Sequence, residues 1–409
     1  MSTEATCRSC GGTALEVFLS LGKMPLPDAF LTEEARSEPE PRYPLDVAVC
    51  PECALVQILE EVPPEKLFVE NYLYFSSFSD ALLRHARDHA MGLVESRRLG
   101  AGSLVVELAS NDGYLLKNFA SADVPVLGID PAPEPARAAE AAGVPTLREF
   151  FGTDLARRLV AEGKRADVIV ANNVMAHVPD LNGFVAGMAV LLADDGLITV
   201  ENPYVRDLVD HGEFDTIYHE HFCYFSCTSV DTLVRRHGLF LNHVEYFPDL
   251  HGGTLRWHIA KREEPTDAVR GYLAEERRRG VGRPAFYRDF AARVEGIRDE
   301  LVALLRGLKD GGARLAGYGA AAKATILLNY TGIGSDLLDF IVDRNVHKHG
   351  LYMPGVHVPI TGPEALAERR PDYTVILAWN FRREIVHQQA AYAEQGGRWI
   401  VPIPSVEVV

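Results

Sequence analysis

Apolar and polar positions alternate along the middle of the chain with two different periods. Short apolar runs of strand length are separated by segments in which apolar residues recur at helical spacing. The predicted strands are SLVVELA, VPVLGID, VPTLREFF, ADVIVANNV and LITVENP, with a helix predicted after each of the first four. This alternation predicts a doubly wound, largely parallel α/β sheet. Ligands of such sheets bind at the carboxyl ends of the strands.

A second α/β series is predicted in the last part of the chain. It contains a long amphipathic helix, a strand–glycine turn–helix unit, three further strands and a final helix. The segments are DFAARVEGIRDELVALLRGLKDGG, ARLAGYGAAAKATILLNY, LDFIVDRN, HVPI, YTVILAWN and EIVHQQAAYAEQGG; GTLRWHIAKR is a predicted strand before them. Both series contain a strand that ends in an aspartate, Asp130 and Asp343. Duplication and the shared physics of the fold explain this repetition equally well.

Residues 66–98 are predicted to be mostly helical after an aromatic and serine-rich stretch, because Leu82, Leu83, Ala86 and Ala90 recur at helical spacing. We therefore expect three domains: residues 1–65, 66–240 and 241–409. The chain has 409 residues, which agrees with more than one domain.

The composition of the chain excludes some classes of binding partner. The formal net charge is −16, which argues against a nucleic-acid backbone as the main partner. No apolar run reaches the length of a membrane span, and the first residues, MSTEATCRSCGG, lack the basic and apolar regions of a secretory signal. We expect a cytoplasmic enzyme that is a monomer and binds neither nucleic acid nor membrane.

Four of the six cysteines form two C-x-x-C pairs, Cys7 with Cys10 and Cys50 with Cys53. In a reducing compartment such pairs favour a metal over disulfides, and four thiolates suit tetrahedral zinc. The alternative is four buried, inert thiols. The segment between the pairs is rich in proline and poor in long apolar runs, so the module is predicted to depend on the metal for its fold.

The first strand of the central series ends in a candidate cofactor loop, VVELASNDGYLL, with Glu107, Asn111 and Gly113. Asp130, at the end of the next strand, is placed to accept ribose hydroxyls. Because only one of the usual glycines is present, a pyrophosphate fits this loop poorly. A nucleoside with a short polar tail fits better, and S-adenosylmethionine is such a molecule.

The later strands add candidate residues for the same cofactor. Glu149 and Phe150 are predicted at the adenine edge, and Asn172 lies at the end of the fourth strand. The ordered set of turn, acidic strand end and ANNVMAHVPD resembles class I methyltransferases. A nucleotide-binding α/β fold without transfer chemistry is the alternative.

The segment DTIYHEHFCYFS concentrates side chains that bind metals or move protons. A catalytic zinc motif places two histidines one helical turn apart, which His219 and His221 do not match. A purely structural polar cluster is a further alternative. In an extended strand Tyr218 and Glu220 would share one face and the two histidines the other. A cooperating Tyr218 and His221 therefore predict a loop, an irregular turn or a helix start.

The C-terminal series contains GYGAAAK, in which Gly317, Gly319 and Ala322 fit a dinucleotide fingerprint. Taken alone, the motif indicates an NAD-dependent oxidoreductase. Beside a methyltransferase domain, the diphosphate of a sugar nucleotide at the helix N-terminus is favoured, with Lys323 and Tyr318 as contacts. Tight packing of helix on strand is the alternative for this loop. Arg256, in HGGTLRW, is predicted to help close the substrate cleft.

These motifs, in this order, resemble the TDP-sugar C-methyltransferases of deoxysugar pathways, over nearly the whole chain. The resemblance implies a zinc-binding N-terminal domain, a central S-adenosylmethionine domain and a C-terminal α/β domain. It also implies methyl transfer to C3 of a TDP-linked 4-keto-deoxysugar, as in antibiotic biosynthesis, or to C5 as in some members. A zinc-dependent adaptor with a relic methyltransferase fold is the non-enzymatic alternative.

The family's catalytic residues map by resemblance onto Tyr218, Glu220, His221, His177 and either Tyr74 or, two residues earlier, Tyr72. Methylation at carbon needs a base, a group that holds the enolate oxygen, a fixed methyl donor and exclusion of water. We expect His221 to be the base and Tyr218 to donate to the oxyanion. Glu220 is expected to orient an imidazole or to bind a substrate hydroxyl or amine, and His177 to contact the sugar.

Overall fold

The structure, a computed structural model, describes residues 5–68, 75–250 and 252–409. Its strands are β1 (Glu16–Pro25), β2 (Arg42–Val49), β3 (Val56–Ile58), β4 (Val105–Leu108), β5 (Val126–Ile129), β6 (Thr146–Leu147), β7 (Ala166–Asn172), β8 (Leu192–Pro203), β9 (Cys223–Tyr224), β10 (Phe240–Phe247), β11 (Thr254–Ala260), β12 (Leu315–Tyr318), β13 (Phe340–Val342), β14 (Ile360–Thr361), β15 (Tyr373–Ile376), β16 (Arg398–Val401) and β17 (Glu407–Val408).

The α-helices of the described residues connect these strands. They are α1 (Pro64–Phe68), α2 (Asp80–Arg97), α3 (Leu116–Ala120), α4 (Pro133–Ala141), α5 (Thr153–Ala161), α6 (Leu181–Leu191), α7 (Val205–His211), α8 (Cys227–Arg235), α9 (Asp267–Arg279), α10 (Phe290–Asp310), α11 (Ala322–Thr331), α12 (Ala365–Arg369), α13 (Arg382–Gln388) and α14 (Ala390–Glu394). In the described ranges, none of them has both the length and the apolar character that crossing a membrane requires.

The central sheet has seven strands in the order β10-β11-β8-β7-β4-β5-β6. The strands from β4 to β8 run parallel, as the alternating pattern predicts. Helix α2 covers one face: Ser79 accepts a capping hydrogen bond from the Leu82 amide, and Ala86 and Ala90 then pack with Val105 and Val170. Helices α5 and α6 pack with the opposite set of strand residues on the other face. The inner strands β4, β5 and β7 therefore bury nearly all of both faces, which explains their nearly continuous apolar runs.

Strands β10 and β11 belong to the central sheet, so this sheet extends beyond residue 240, where the second domain is predicted to end. They form an antiparallel hairpin that adds to the edge of β8. The periodicity of GTLRWHIAKR correctly predicted a strand there. The periodicity could not predict which sheet this strand joins, because the partner of an edge strand is determined by contacts between residues distant in sequence.

The C-terminal sheet has six strands in the order β14-β13-β12-β15-β16-β17, and all but β17 run parallel. The long amphipathic helix predicted before it is α10. HVPI contributes only its last residue to a strand, β14. The predicted final helix is divided into α13 and α14, which meet at Gln389 in a non-helical conformation.

The two parallel sheets share one local device at the predicted aspartates. Asp130 accepts hydrogen bonds from the backbone N–H groups of Asn111 and Ala132, both at 2.8 Å. Asp343 accepts from those of Ala320 and Asn345, both at 2.7 Å. In each sheet an acid at the end of the second strand thus holds the loop that follows the first.

The N-terminal module forms the third sheet, of four antiparallel strands in the order β1-β2-β3-β9. Its last strand comes from far along the chain, directly after the YHEH segment. This sheet therefore joins the cysteine module to the segment in which the sequence predicts the chemistry.

Candidate active site

The four cysteines of the N-terminal module converge as the paired C-x-x-C motifs predict. Cys7, Cys10, Cys50 and Cys53 place their Sγ atoms within 4.8 Å of one another. The Cys7–Cys53 and Cys10–Cys50 sulfur distances are 3.4 and 3.5 Å. Zn–S bonds of about 2.3 Å in a tetrahedron place sulfurs about 3.8 Å apart, so four thiolates in this arrangement fit a structural zinc ion.

Each C-x-x-C pair closes in a tight turn that aims both sulfurs inward. The Gly11 amide donates to the Cys7 carbonyl at 2.8 Å, and the Ala54 amide to the Cys50 carbonyl at 2.9 Å. Gly11 and Ala54 have φ angles of 75° and 62°, so both turns end in the left-handed region.

The cofactor residues lie on one face of the central sheet, at the carboxyl ends of its strands. Glu107 is paired in register with Gly128 of β5 and Val170 of β7, so its side chain shares the face of Asp130 and Asn172. The prediction of these three residues as one set therefore agrees with the sheet geometry.

Several buried polar atoms at this edge have no hydrogen-bond partner within the described structure. They are Oε2 of Glu107, Oγ of Ser110, Oδ1 of Asp112 and Oδ1 of Asn172. Buried polar atoms are normally satisfied, so this concentration indicates a ligand with several donors. The ammonium and ribose hydroxyls of S-adenosylmethionine are such donors. Ser110 and Asp112 were not in the predicted set, although they lie in the predicted loop.

Burial raises the pKa of Glu107 well above its usual range, and the neighbouring carboxylates of Asp130 and Asp112 add to the shift. Burial likewise raises the pKa of Asp130 to about 6, against the effect of its two backbone donors. A bound cation would relieve both penalties, which suits a cofactor with an ammonium and a sulfonium group.

The loop residues Asn111 and Gly113 shape the site. Asn111 has a φ of 49°, and its Oδ1 accepts from the Ser76 amide at 2.9 Å. Gly113 has a φ of 76°, and a Cβ there would lie 3.1 Å from a methyl group of Val144. Asn111 thus holds the chain just after Tyr72 and Tyr74, which lie outside the described residues.

Glu149 and Phe150 follow β6 at the open end of the site. Glu149 is half exposed and forms an ion pair with Arg158. The Phe150 side chain is 45% exposed, so its ring is available to a flat ligand at the predicted adenine edge. Their contact with adenine stays a prediction.

The YHEH segment forms a turn, as expected if Tyr218 and His221 cooperate. We call residues 217–222 the histidine turn. The His221 amide donates to the Tyr218 carbonyl at 2.9 Å, and the two ring centroids are 4.0 Å apart. His177, which follows β7, lies with its ring 4.7 Å from that of His221. The structure thus brings together three of the five predicted catalytic side chains.

The tautomer of His221 follows from its partner. Its Nδ1 lies 2.8 Å from the carbonyl oxygen of Thr216, which can only accept, so Nδ1 carries the proton. In the neutral ring Nε2 is then the basic nitrogen. The orienting group at Nδ1 is therefore a backbone carbonyl, which no side-chain pattern in the sequence predicts. Burial lowers the pKa of His177 to about 4, so this ring is neutral near pH 7.

His219 points away from this group. Its Nε2 lies 3.0 Å from the Pro44 carbonyl, and its ring packs against Tyr43 of β2. Within the described residues, the four cysteines are the one group of potential metal ligands that converges. The alternative of a metal at His219 and His221 therefore has no support, and His219 attaches the turn to the N-terminal module.

Glu220 is buried, and the sequence did not predict the charged side chains that lie near it. Burial raises its pKa well above the usual range; Asp28 adds to the shift and Lys348 opposes it. Asp28 comes from the N-terminal module and Lys348 from the C-terminal sheet region. No local pattern marks either residue, because their proximity depends on how three parts of the chain pack.

The C-terminal glycine loop is explained in part by packing. A Cβ at Gly317 would lie 2.8 Å from Ile341, and one at Gly319 2.7 Å from Ala378. Tyr318 is buried, and its hydroxyl accepts from Gln389 at 3.4 Å. Lys323 opens α11 with its Nζ 4.5 Å from the centre of the Trp379 ring. The packing alternative thus accounts for both glycines. Lys323 is the cation beside this loop; burial lowers its pKa, and the carboxylates of Asp215 and Glu213 oppose that shift.

Arg256 does not line a substrate cleft as predicted. It lies in β11 with 5% of its surface exposed. Its guanidinium donates to Glu201 at 2.5 and 2.6 Å and to Glu245 at 3.3 Å. Because its donors are taken by neighbouring strands, Arg256 stabilises the edge of the central sheet.

Comparison with known proteins identifies the family of the chain. Models of three families match: a zinc binding domain at residues 7–68, a methyltransferase domain at 82–244 and a C-methyltransferase C-terminal domain at 249–404. C-methyltransferase NovU from Streptomyces niveus is 38% identical over 406 residues, which is 98% of this chain and 96% of NovU. The chain belongs to the C-methyltransferase family. It is an S-adenosylmethionine-dependent C-methyltransferase with a zinc-binding domain.

More distant relatives share only part of the chain. A ubiquinone biosynthesis O-methyltransferase from Methylobacterium sp. (strain 4-46) is 34% identical over 101 residues, 24% of this chain and 39% of that protein. Among solved structures, magnesium protoporphyrin IX methyltransferase from Synechocystis matches with a TM-score of 0.35 and 15% identity, covering 44% of this chain and 83% of its own.

The zinc site allows a first prediction. Cys50→Ser is expected to lose the metal and to lower the free energy of unfolding by more than about 4 kcal/mol, because loss of a structural metal is among the causes of the largest single-substitution effects. Methyl transfer should fall as well, because β9 loses its ordered partner sheet. Metal content, unfolding and activity are measured together. Cys227→Ala, at a buried thiol outside the cluster, is the control and should keep its zinc; a zinc-replete, stable Cys50→Ser protein would contradict the assignment.

A second prediction concerns Glu107, whose Oε2 atom has no hydrogen-bond partner among the described residues. Glu107→Gln is expected to weaken S-adenosylmethionine binding roughly 10- to 100-fold, as for loss of a hydrogen bond to a charged group. Calorimetric titration measures the affinity. Glu134→Gln, at an exposed ion pair on α4, should bind as the unmodified protein does. Equal affinity in both variants would remove Glu107 from the cofactor site.

Proposed function

We propose that the protein methylates C3 of a TDP-linked 4-keto-deoxysugar through an enolate. The observation that carries this proposal is the hydrogen bond from Nδ1 of His221 to the Thr216 carbonyl. It leaves Nε2 as the basic nitrogen, beside Tyr218 and His177. An oriented neutral imidazole next to a phenol hydroxyl is the arrangement that enolisation of a ketone requires.

The chain's own residues have distinct roles in this proposal. Nε2 of His221 removes the proton from the carbon next to the ketone, and the electron pair of that C–H bond becomes the enolate. The Tyr218 hydroxyl donates to the enolate oxygen. Glu220, whose raised pKa favours the protonated form, binds a substituent of the sugar, and His177 contacts the ring.

Bound S-adenosylmethionine supplies the methyl group at its sulfonium, and the side chains at the edge of the central sheet hold it. Glu107 would accept from its ammonium and Asp130 from its ribose, with Asn172 at the end of the neighbouring strand β7. The sulfonium would supply its methyl group to the enolate carbon and leave as the neutral thioether. The proton on His221 is then released to solvent.

The TDP group is placed at the C-terminal glycine loop. Lys323 and the free backbone N–H groups at the start of α11, where the Ala321 cap offers no side-chain acceptor, suit a diphosphate. Tyr74 completes the proposed catalytic set by resemblance alone, since it lies outside the described residues.

Proton exchange tests the base and the carbon together. Incubated with a TDP-4-keto-6-deoxysugar in D₂O without methyl donor, the protein is expected to introduce deuterium at C3. His221→Asn keeps a donor for the Thr216 carbonyl but lacks the base, so exchange and methylation should fall roughly 10²- to 10⁴-fold. Mass and NMR spectra of the sugar provide the measurement.

The matched control is His219→Gln, whose amide can still donate to the Pro44 carbonyl; it should exchange normally. Deuterium at C5 would move the methylation to that carbon. Full activity in His221→Asn would exclude His221 as the base.

The diphosphate site allows a separate test. Lys323→Met is expected to raise the KM for the sugar nucleotide roughly tenfold, since a charge-assisted contact is lost, with little change in cofactor affinity. Lys309→Met, at a surface ion pair with Asp339, is the control. An unchanged KM in Lys323→Met would place the diphosphate elsewhere.

A further inference from the structure

The short turn at Phe214–Thr216 connects the C-terminal part of the chain to the histidine turn. It packs against α11, with the Phe214 ring 5.2 Å from that of Tyr330. Phe214 and Asp215 are fully buried. The contact therefore fixes this turn on the C-terminal helix α11, immediately before the histidine turn begins.

Asp215 makes the specific polar contact across this boundary. Its Oδ2 accepts from Nε1 of Trp379 at 2.7 Å. Lys323, held over the same indole ring, attracts the carboxylate through space. Burial raises the pKa of Asp215 to about 7, and Lys323 and Trp379 oppose the shift. A buried carboxyl is costly unless it is hydrogen-bonded, so the N–H of Trp379 offsets part of the cost of burying Asp215.

Thr216 links the contact between Asp215 and Trp379 to His221, the proposed base. Its hydroxyl donates to the Glu213 carbonyl at 2.7 Å, which limits movement of the turn. Its own carbonyl accepts from Nδ1 of His221. These contacts form a continuous path. A side-chain hydrogen bond links Trp379 to Asp215, a peptide unit links Asp215 to Thr216, and a second hydrogen bond links the Thr216 carbonyl to His221.

We propose that Asp215 and Trp379 are positioning residues through which the C-terminal part of the chain fixes the tautomer and orientation of His221. The inference rests on the proposed role of His221 as the base. Neither residue touches the reacting atoms. Their effect is to hold the Thr216 carbonyl where only the Nδ1–H form of the imidazole is bonded.

The test compares two tryptophans of the same region. Trp379→Phe keeps a ring over which Lys323 can lie but removes the N–H donor. Trp399→Phe is the control, because Nε1 of Trp399 is buried and has no hydrogen-bond partner among the described residues. The His221 tautomer is read from ¹⁵N-histidine NMR spectra, with the signal assigned by its loss in His221→Asn.

Trp379→Phe is expected to lose the single Nδ1–H tautomer and to lower kcat roughly 10- to 100-fold, with KM values within about threefold of the unmodified protein. Trp399→Phe should keep the tautomer and kcat. An unchanged tautomer in Trp379→Phe overturns the proposal, even if the variant is less stable.

A double variant separates positioning from stability. Asp215→Leu with Trp379→Phe removes both partners of this hydrogen bond, so neither is left unsatisfied, and Glu213 remains as a carboxylate near Lys323; the fold should recover part of its stability. If the pair positions His221, the double variant still lacks the fixed tautomer; recovery of both tautomer and kcat overturns the proposal. Because the NMR measurement needs no substrate, it tests the pair even if sugar nucleotides prove not to be substrates.

Discussion

Backbone pairing between β3 and β9 joins the cysteine module to the strand that follows the histidine turn. Gln57 and Val56 of β3 face Cys223 and Tyr224 of β9, and the Ile58 amide donates to the Phe222 carbonyl at 3.1 Å. A two-residue strand has little stability of its own. The order of the histidine turn on this side therefore depends on a module that is itself held together by four thiolates and their metal.

The histidine turn has no regular structure and is fixed by contacts with all three parts of the chain. His219 bonds to Pro44 of the N-terminal module, and the Phe222 amide donates to the Ala176 carbonyl beside the central sheet at 2.7 Å. The turn before it rests on α11 through Phe214. An irregular segment can hold reactive side chains accurately when each end is bonded to a rigid neighbour.

Features that depend on residues close together in the sequence were predictable, and features that depend on residues distant in the sequence were not. The strand–helix alternation and the C-x-x-C pairs are local signals, and they correctly predicted the parallel sheets and the sulfur cluster. The sheet of β10 and β11 and the ion pairs of Arg256 depend on distant residues. The Thr216 carbonyl beside His221 carries no side-chain signal at all, so only the fold reveals it.

Burial gives the side chains of the site one common tendency. It raises the pKa of Glu107 and of Glu220 and lowers that of His177, so each shift favours the uncharged form. Because these side chains favour their uncharged forms, they screen the charges of the bound molecules only weakly. In the proposed reaction, a cationic methyl donor and an anionic enolate would attract each other most strongly where water and ionised side chains are scarce. The same burial that makes these residues costly to the fold therefore favours transfer of a methyl group to carbon.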